Sequence, residues 1–491
     1  MLAKFTGDIG SHEKLPIKIH KFNIYQTLTC LQLDINTDRQ SWMQVFLWDE
    51  ENRLRLQCLH LTKETKIIID KMPEKTSTCA VPGDFLPGEY TIEIMCRNME
   101  SIEYSLEITE NLKEPKEEIG IEVWCDGNYE VKELTLNNYD FFKRKKQGFK
   151  WYKGDFHTHT TLSDGKMTVK ERTENAVALG LDFFVTTEHN VMPCHWTKEN
   201  ILVIPGMEIT SPSSHFNAIG LKQWIDLRAN SKDGGMMTEE GMNRLLVEAE
   251  EKGALRSINH PELYPWQWLY EETLIENIDT IEIINDPTYQ QNREATEKAL
   301  RLWTLLWMDG RKIWGIGGSD SHLLPTETYK DSAKPSLIGD PGTYVLAEGL
   351  SAAEIIEGVS LGRVYVSRDT EMSVKIKCNA QEYYLGSDLS EQFASEDTER
   401  SISYEVNFRG IEENCILSVI EDGKIIKSLE IEKENSYKID LMWKGTAYTW
   451  NRLELRRISG ELILFTNPIF KGKTDCKIFK WGQLIELAGG H

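Results

Sequence analysis

No segment of this chain is apolar for long enough to span a bilayer, and its first residues, MLAKFTGDIG, lack the apolar stretch of a secretion signal. The expectation is therefore a soluble, cytoplasmic protein with no membrane partner. Cysteine is sparse and unpatterned. The nine residues (Cys30, Cys58, Cys79, Cys96, Cys125, Cys194, Cys378, Cys415, Cys476) are odd in number and nowhere spaced as CxxC, which argues against a disulfide framework and against a thiolate zinc site. They are expected to be reduced and mostly buried. Positive charge is also in deficit: 56 Lys and Arg against 78 Asp and Glu leave a formal net charge of -22. Such a chain repels a polyanion unless a local basic surface opposes it, so long nucleic acid is not an expected partner. The one compact basic run, Lys143, Arg144, Lys145 and Lys146, reads as solvated surface. There is no internal repeat.

What the chain does have is length and apolar content for two or three domains, with 491 residues of which 40% are hydrophobic. Residues 1–115 contain short alternating segments such as WMQVFLWDE, KIIID and YTIEIMC, broken by turn-rich stretches like PGDFLPGEY, which is a β-sandwich pattern. Residues 116–150 read as a linker, beginning in NLKEPKEEIG, with an extra strand. From 151 to 371 strands alternate with amphipathic helices, the pattern of βα units in a barrel or barrel-like α/β layer. Thr168 and Glu171 open one helix as a capping box, Thr238 starts a second, a long helix runs from about Asn292 to Asp309, and Ser351 with Glu354 caps a last one. Residues 372–491 return to alternation in MSVKIKC, SISYEVNF and NRLELRRI, predicting a second β domain.

Seven of the eleven histidines fall between His157 and His322. In DFHTHTTLSDG, His157 and His159 are two apart, so on a strand both imidazoles project from one face. Asp164 follows in the same motif, TTEHN carries Glu188 and His189, PGMEIT carries Glu208, SHFNAIGL carries His215, INHPEL carries His260, and GGSDSH carries Asp320 and His322. Each group sits at or just past the end of a predicted strand, the face on which catalytic groups converge in a βα barrel. Six imidazoles and three carboxylates (Asp164, Glu208, Asp320) suit zinc, manganese or iron better than calcium or magnesium. Nine ligands exceed the needs of one ion, so two or three divalent ions with a bridging carboxylate are expected. His195, between Cys194 and Trp196, reads as an ordinary hydrogen-bonded residue.

Taken together, these ordered motifs resemble those of the PHP superfamily, named for polymerase and histidinol phosphatase, over about residues 152 to 367. The flanking β domains, with LGRVYVSRD and LFTNPIF, make the chain look more like the large PHP hydrolases of the CehA/McbA type, associated with carbaryl hydrolase. The resemblance implies an α/β fold with a distorted (βα)7 TIM-like barrel, flanked by the two β-sandwich-like domains. It also implies one metal on His157, His159, Glu208 and Asp320, a second sharing Glu208 with His215 and His260, and a third on Asp164, His189 and His322. Glu188 stands where many relatives have Asp, which leaves the role of that carboxylate open.

The expected activity is a metal-dependent phosphoesterase that hydrolyses a small phosphate mono- or diester through a metal-activated hydroxide, with Glu208 and Asp320 as catalytic carboxylates. Arg363 in LGRVYVSRD is the candidate phosphate ligand, with a surface or interdomain salt bridge as its alternative. Asn259, Asn285 and Tyr264 could orient substrate or simply cap turns. Two other readings stay open at this stage. One is hydrolysis of a non-phosphate ester or carbamate at the same site; the other is a glycan- or partner-binding protein with a structural metal.

Overall fold

Along the strand Cys30–Thr37, Leu31, Leu33 and Ile35 are buried while the residues between them are half-exposed. A sheet with one apolar face needs a second layer to cover it. Two four-stranded antiparallel sheets meet this need. One is ordered Ala3–Ile9, Ile102–Glu110, Cys30–Thr37, Glu64–Asp70, and the other Ile17–Ile24, Gly88–Cys96, Met43–Trp48, Leu54–His60. They share one apolar core. The computed structural model describes residues 1–10, 16–96, 100–110, 120–128, 133–432 and 436–490. The expected linker NLKEPKEEIG lies outside the described residues except for its final Gly120. Beyond it, Ile121–Val123 pairs with His195–Thr197, and Trp124, Leu134, Leu136 and Phe141 are buried in the central core. This segment is therefore part of the packed body.

The central region is a mixed α/β layer. Lys146–Asp155, Phe183–Val185 and Leu202–Ile204 run parallel on one side, and Leu255–Ile258, Thr280–Asn285 and Trp314–Gly318 run parallel on the other. Gly206–Thr210 and His215–Ile219 form an antiparallel hairpin that joins the second set. The helices start where their caps put them. Thr168 and Glu171 form a reciprocal capping box ahead of Val169–Ala178, and Thr238 and Ser351 cap Glu239–Glu251 and Ala352–Ser360. Seven full βα repeats of the expected (βα)7 barrel are not shown. Among the described residues, four α-helices serve this region and the ladders stay in two sheets. A single residue, Pro205, separates Leu202–Ile204 from Gly206–Thr210, which leaves no room for a crossover helix. Two isolated bridges, His189 with Glu208 and Thr158 with Ser321, link the sheets at one end only.

The strands on either side of residue 370 belong to different sheets, and the earlier one, Val364–Ser367, pairs onward with Leu462–Thr466. The sheet that begins at Leu202–Ile204 passes through Lys146–Asp155, Gly342–Leu350 and Val364–Ser367 and continues into Leu462–Thr466, Thr449–Arg457, Cys415–Glu421 and Lys424–Ile431. A separate four-stranded sheet, built on Glu371–Cys378 and Glu399–Arg409, covers the far half. The chain ends in a helix, Trp481–Ala488, which packs on Asn292–Met308. Among the described residues, no helix is long and apolar enough to cross a membrane. None of the cysteines is in a disulfide; eight are buried and Cys476 is partly so. The basic run is neutralised, since Lys143 and Lys145 approach Glu122, Arg144 pairs with Glu354, and Lys146 pairs with Asp182.

The N-terminal sandwich docks on the central layer through buried amides. Gln57 Nε2 donates to the Met192 carbonyl at 2.6 Å, and the Met192 N–H donates back to Gln57 Oε1 at 3.0 Å. Gln44 Nε2 donates to the Asn190 carbonyl at 2.9 Å, and Val191 packs in the sandwich core. Replacing Gln57 by Leu leaves two buried backbone groups of Met192 unpaired, at a cost of about 1–3 kcal/mol each. Calorimetric unfolding of Gln57→Leu is expected to show a loss of about 2 kcal/mol or more; an unchanged transition would show that this amide does not hold the seam.

Candidate metal centre

The six histidines and three carboxylates singled out in the sequence converge at the end of the layer where the two bridges form. His157 and His159 lie just past the strand ending at Asp155, Glu188 and His189 past Val185, His260 past Ile258, and Asp320 past Gly318. Glu208 sits in Gly206–Thr210, paired with Asn217 across the hairpin, and His215 pairs with Thr210 next to the turn. The approach is close enough to require glycine. A Cβ on Gly318 would stand 2.4 Å from His157 Cβ and 2.5 Å from Glu282 Oε1. Four non-glycine residues here take positive φ: Asn190 (56°), His260 (28°), Asp286 (23°) and Asp320 (46°). Such backbone costs on the order of 1–3 kcal/mol each and persists where surrounding structure enforces it.

Glu208 is the hub. Its Oε1 lies 3.3 Å from His157 Nε2, 3.2 Å from His215 Nδ1 and 3.7 Å from His260 Nε2, while Oε2 lies 2.6 Å from His189 Nδ1 and 3.6 Å from His159 Nε2. Asp320 Oδ1 is 3.0 Å from His159 Nε2 and 3.2 Å from His157 Nε2. Asp164 Oδ1 is 3.0 Å from His322 Nε2 and 3.3 Å from His189 Nε2. Four overlapping groups of potential ligands have donor atoms within 4.8 Å of one another: His159, Asp164, His189 and His322; His157, His260 and Asp320; His157, His159 and Glu208; and Glu208, His215 and His260. Their fit to metal shows in what they leave unmade. His157 Nε2, His159 Nε2, Glu208 Oε2 and His215 Nδ1 are buried, make no hydrogen bond of ordinary geometry among the described residues, and face other members of the same cluster. Buried polar atoms are normally paired, so a converging set of orphaned lone pairs is a receptor for a cation.

Outer partners hold the rings. Glu282 Oε1 lies 3.2 Å from His157 Nδ1, and its Oε2 accepts from the His260 backbone N–H at 2.9 Å and from Asn285 Nδ2 at 3.0 Å. A carboxylate on Nδ1 fixes the tautomer and turns the Nε2 lone pair inward. His322 Nδ1 donates to the Asp320 carbonyl at 2.7 Å, and His189 Nδ1 lies 2.6 Å from Thr210 Oγ1. Glu188 accepts from Thr160 N, Thr160 Oγ1 and Ser163 Oγ, and that serine reaches His159 Nδ1 at 3.4 Å. Asn259 Nδ2 donates to Glu208 Oε1 at 2.8 Å. The buried Arg172 donates to the His159 carbonyl and to Ser321 Oγ and carbonyl, tying the two loops together.

The electrostatics follow from this crowding. Burial pushes His159 down to about 3, with His322 and His189 adding to the drop, and burial pushes His215 down to about 4 against the pull of Glu208. Both imidazoles are thus neutral and free to coordinate. Burial also acts against charge on His189 and His322, but Asp164 outweighs it and raises them to about 10 and about 9. Burial opposes ionisation of Glu208 and Asp320 too, and the surrounding imidazoles, led by His189 and His157 respectively, still hold both well below the ordinary carboxylate range. The protein itself supplies the anionic charge and imidazole donors that a cation cluster requires.

The cluster opens on a cavity of about 430 Å³. Beyond the ligands, its wall includes Trp42 from the N-terminal sandwich, Trp266, Tyr289, Tyr329, Asn285 and Asp286, with no Lys or Arg among the lining residues. Arg363 is not brought here. Its guanidinium lies over the Tyr384 ring, 5.2 Å from the centroid. Tyr264, 72% exposed, is not among the lining residues, although its neighbours Leu263 and Trp266 are. His195 is buried against the Thr76 carbonyl, 2.9 Å from Nε2, away from the ligand groups. Glu282, Arg172, Trp42 and Asp286 were not singled out in the sequence. Only Glu282 left a signal there, as a charged residue inside the otherwise apolar strand TIEIIN.

No protein-family model matches the chain, and no curated protein matches it either. Among solved structures, it is similar to a two-domain protein from Bacteroides vulgatus containing a predicted PHP-like metal-dependent phosphoesterase. The identity is 19% and the TM-score 0.34, covering 65% of this chain and 96% of that one. A pre-peptidase C-terminal domain of a collagenase from Bacillus anthracis matches at 10% identity and a TM-score of 0.18, covering 22% of this chain and 90% of that domain. Both TM-scores fall below 0.5, so the functional reading rests on the site itself.

Proposed function

We propose that the protein is a PHP-type metal-dependent hydrolase of the large CehA/McbA subgroup, acting on a small phosphate mono- or diester with two or three divalent ions of zinc, manganese or iron. The observation that carries this reading is the buried, converging and unpaired donor set of His157, His159, Glu208 and His215. A structural ion needs one saturated shell, whereas nine potential ligands sharing Glu208 and opening on a cavity suit a working cluster. In this reading His157, His159, Glu208 and Asp320 hold one ion, Glu208 with His215 and His260 a second, and Asp164, His189 and His322 a third. Such ions, when bound, lower the pKa of water to about 7 and neutralise charge on an ester oxygen.

The chain's own groups divide the remaining work. Glu208 lies outside the cavity lining and acts as a shared anionic anchor, kept in place by Asn259. Asp320 does line the cavity, with Oδ1 toward the imidazoles and Oδ2 3.4 Å from Asn285 Nδ2, so Oδ2 is the atom placed to take a proton from attacking water. Glu282 holds the His157 ring, and Glu188, through Ser163, holds His159. A second reading, hydrolysis of a neutral ester or carbamate, is favoured by the absence of Lys and Arg from the cavity wall.

Purified protein is expected to carry two to three equivalents of zinc, manganese or iron, and to lose its activity to a chelator and regain it with added metal. Full activity without metal would refute this. In a parallel panel of phosphate esters and carboxylic esters, phosphate release is expected to dominate; turnover confined to the carboxylic esters or carbamates would select the second reading. Glu208→Gln is expected to empty both sites that share it and to abolish activity, while Asp164→Asn is expected to remove about one equivalent of metal. Equal metal loss from the two variants would contradict the ligand assignment.

A further inference from the structure

Asp286 is a carboxylate for which the metal centre has no use. It is 3% exposed, lines the cavity, and belongs to none of the potential ligand groups. No Lys, Arg or His pairs with it among the described residues, and no Lys or Arg lines the cavity at all. Buried charges are ordinarily paired, and among the described residues this one has no charged partner. Its oxygens are nevertheless saturated with neutral donors. Oδ1 accepts from Thr288 Oγ1 at 2.6 Å and from Thr288 N at 3.3 Å, and Oδ2 accepts from Tyr329 OH at 2.6 Å and from Ser336 Oγ at 3.2 Å. Four donors fill the roughly four lone-pair sites of a carboxylate. Burial pushes its pKa up to about 6, and the donors converging on both oxygens are those that an ionised carboxylate accepts.

Around this charge the wall is aromatic. Tyr289 packs edge-on against Tyr329 at 5.2 Å and tilts toward Trp266 at 6.4 Å, while Trp42 stands 5.3 Å from His189 on the opposite domain's edge. Aromatic faces near a carboxylate attract a cation. A primary ammonium brings N–H donors that the saturated Asp286 oxygens cannot accept. A fully methylated ammonium brings none, and interacts through its charge and its methyl groups. We infer that the cavity beside the metal centre is a subsite for a quaternary ammonium group, so that the substrate is an ester of a small alcohol carrying a trimethylammonium head, held by Asp286, Trp266, Tyr289 and Tyr329. The inference depends on the hydrolase reading for the ester, and on the cavity alone for the cation.

The test is calorimetric binding to the full-length, metal-loaded protein, with phosphocholine, inorganic phosphate and tetramethylammonium as probes. Phosphocholine is expected to bind at least tenfold more tightly than phosphate. Asp286→Asn is expected to reduce that advantage to less than twofold while leaving metal content and phosphate affinity unchanged, and Asp331→Asn, at an exposed carboxylate on the neighbouring loop, is expected to keep it. Because Asp286→Asn disturbs a buried network, Trp266→Ala provides a second arm at a residue 42% exposed, with the same loss expected. Equal affinity for phosphocholine and phosphate would overturn the subsite. So would loss of metal from Asp286→Asn, which would assign the carboxylate to balancing the metal charge. A protein that keeps the phosphocholine advantage but turns over no ester would overturn the hydrolase reading and leave the subsite standing. Turnover of neutral aryl phosphates with no preference for the cationic ester would do the reverse.

Discussion

Three carboxylates and six imidazoles converge around the buried Glu208, most of them out of water, and the cost of holding them there shapes everything nearby. An isolated buried ion costs several kcal/mol even after relaxation, so the cluster survives only because each charge is answered by another and the backbone is prevented from moving away. The backbone is restrained by a second ring of buried polar groups. Asp155 accepts from the N–H groups of His157, Ser319 and Gly339, joining three loops at one carboxylate. Arg172 clamps the His159 and Ser321 segments, and Glu188 pins Thr160 and Ser163. Positive φ at His260 and Asp320 is what remains when side chains are aimed inward against local preference.

This dependence explains which parts of the site were legible in the sequence. His157 and His159 reveal themselves because a two-residue spacing on a strand is itself a geometric statement. His189, His260 and Asp320 follow because each lies just past a parallel strand, and the ends of parallel strands meet, while Glu208 and His215 come from the antiparallel hairpin beside them. Glu282 is harder to recognise, since a lone acidic residue in a strand usually faces water; here it is 2% exposed and faces His157. Glu188, whose role the motif left open, proves to act through hydroxyl groups of Thr160 and Ser163. Arg363 shows where the same reasoning fails. The parallel strands deliver their ends to the metal centre, but Gly342–Leu350 runs antiparallel to Lys146–Asp155, and Val364–Ser367 returns against it. Ser367 is therefore the residue at the site end, paired with Gly342, and Arg363 is left at the opposite end beside Leu346.

The fold was legible in its elements and less so in their joining. Caps at Thr168, Thr238 and Ser351 are local chemistry, readable from a few residues. Whether a sheet stops at residue 371 or continues is set by pairing between distant strands, and alternating strands look the same in either case. The continuous ladder from Val364–Ser367 into Leu462–Thr466 thus leaves no trace in the local pattern. The terminal helix Trp481–Ala488 was missed for a related reason. Its apolar face, with Trp481, Leu484 and Ile485 buried, is short enough to pass for the end of a β region.

The N-terminal sandwich is tied to the metal centre by a chain of hydrogen bonds. Gln44 donates to the Asn190 carbonyl, and Asn190, at a φ of 56°, exchanges side-chain hydrogen bonds with the Thr210 backbone in both directions, Nδ2 to O at 3.0 Å and N to Oδ1 at 2.9 Å. Thr210 Oγ1 in turn meets His189 Nδ1, which also faces Glu208. A strained residue is kept in place only if its surroundings over-determine it, and the sandwich supplies part of that determination. Domain packing, a left-handed backbone position and the orientation of a ligand ring are therefore one mechanical unit. The same domain lends Trp42 to the cavity wall. A change in the sandwich that shifts Gln44 should then reach His189 through Asn190 and Thr210, while His157, held from the other side by Glu282, stays in place.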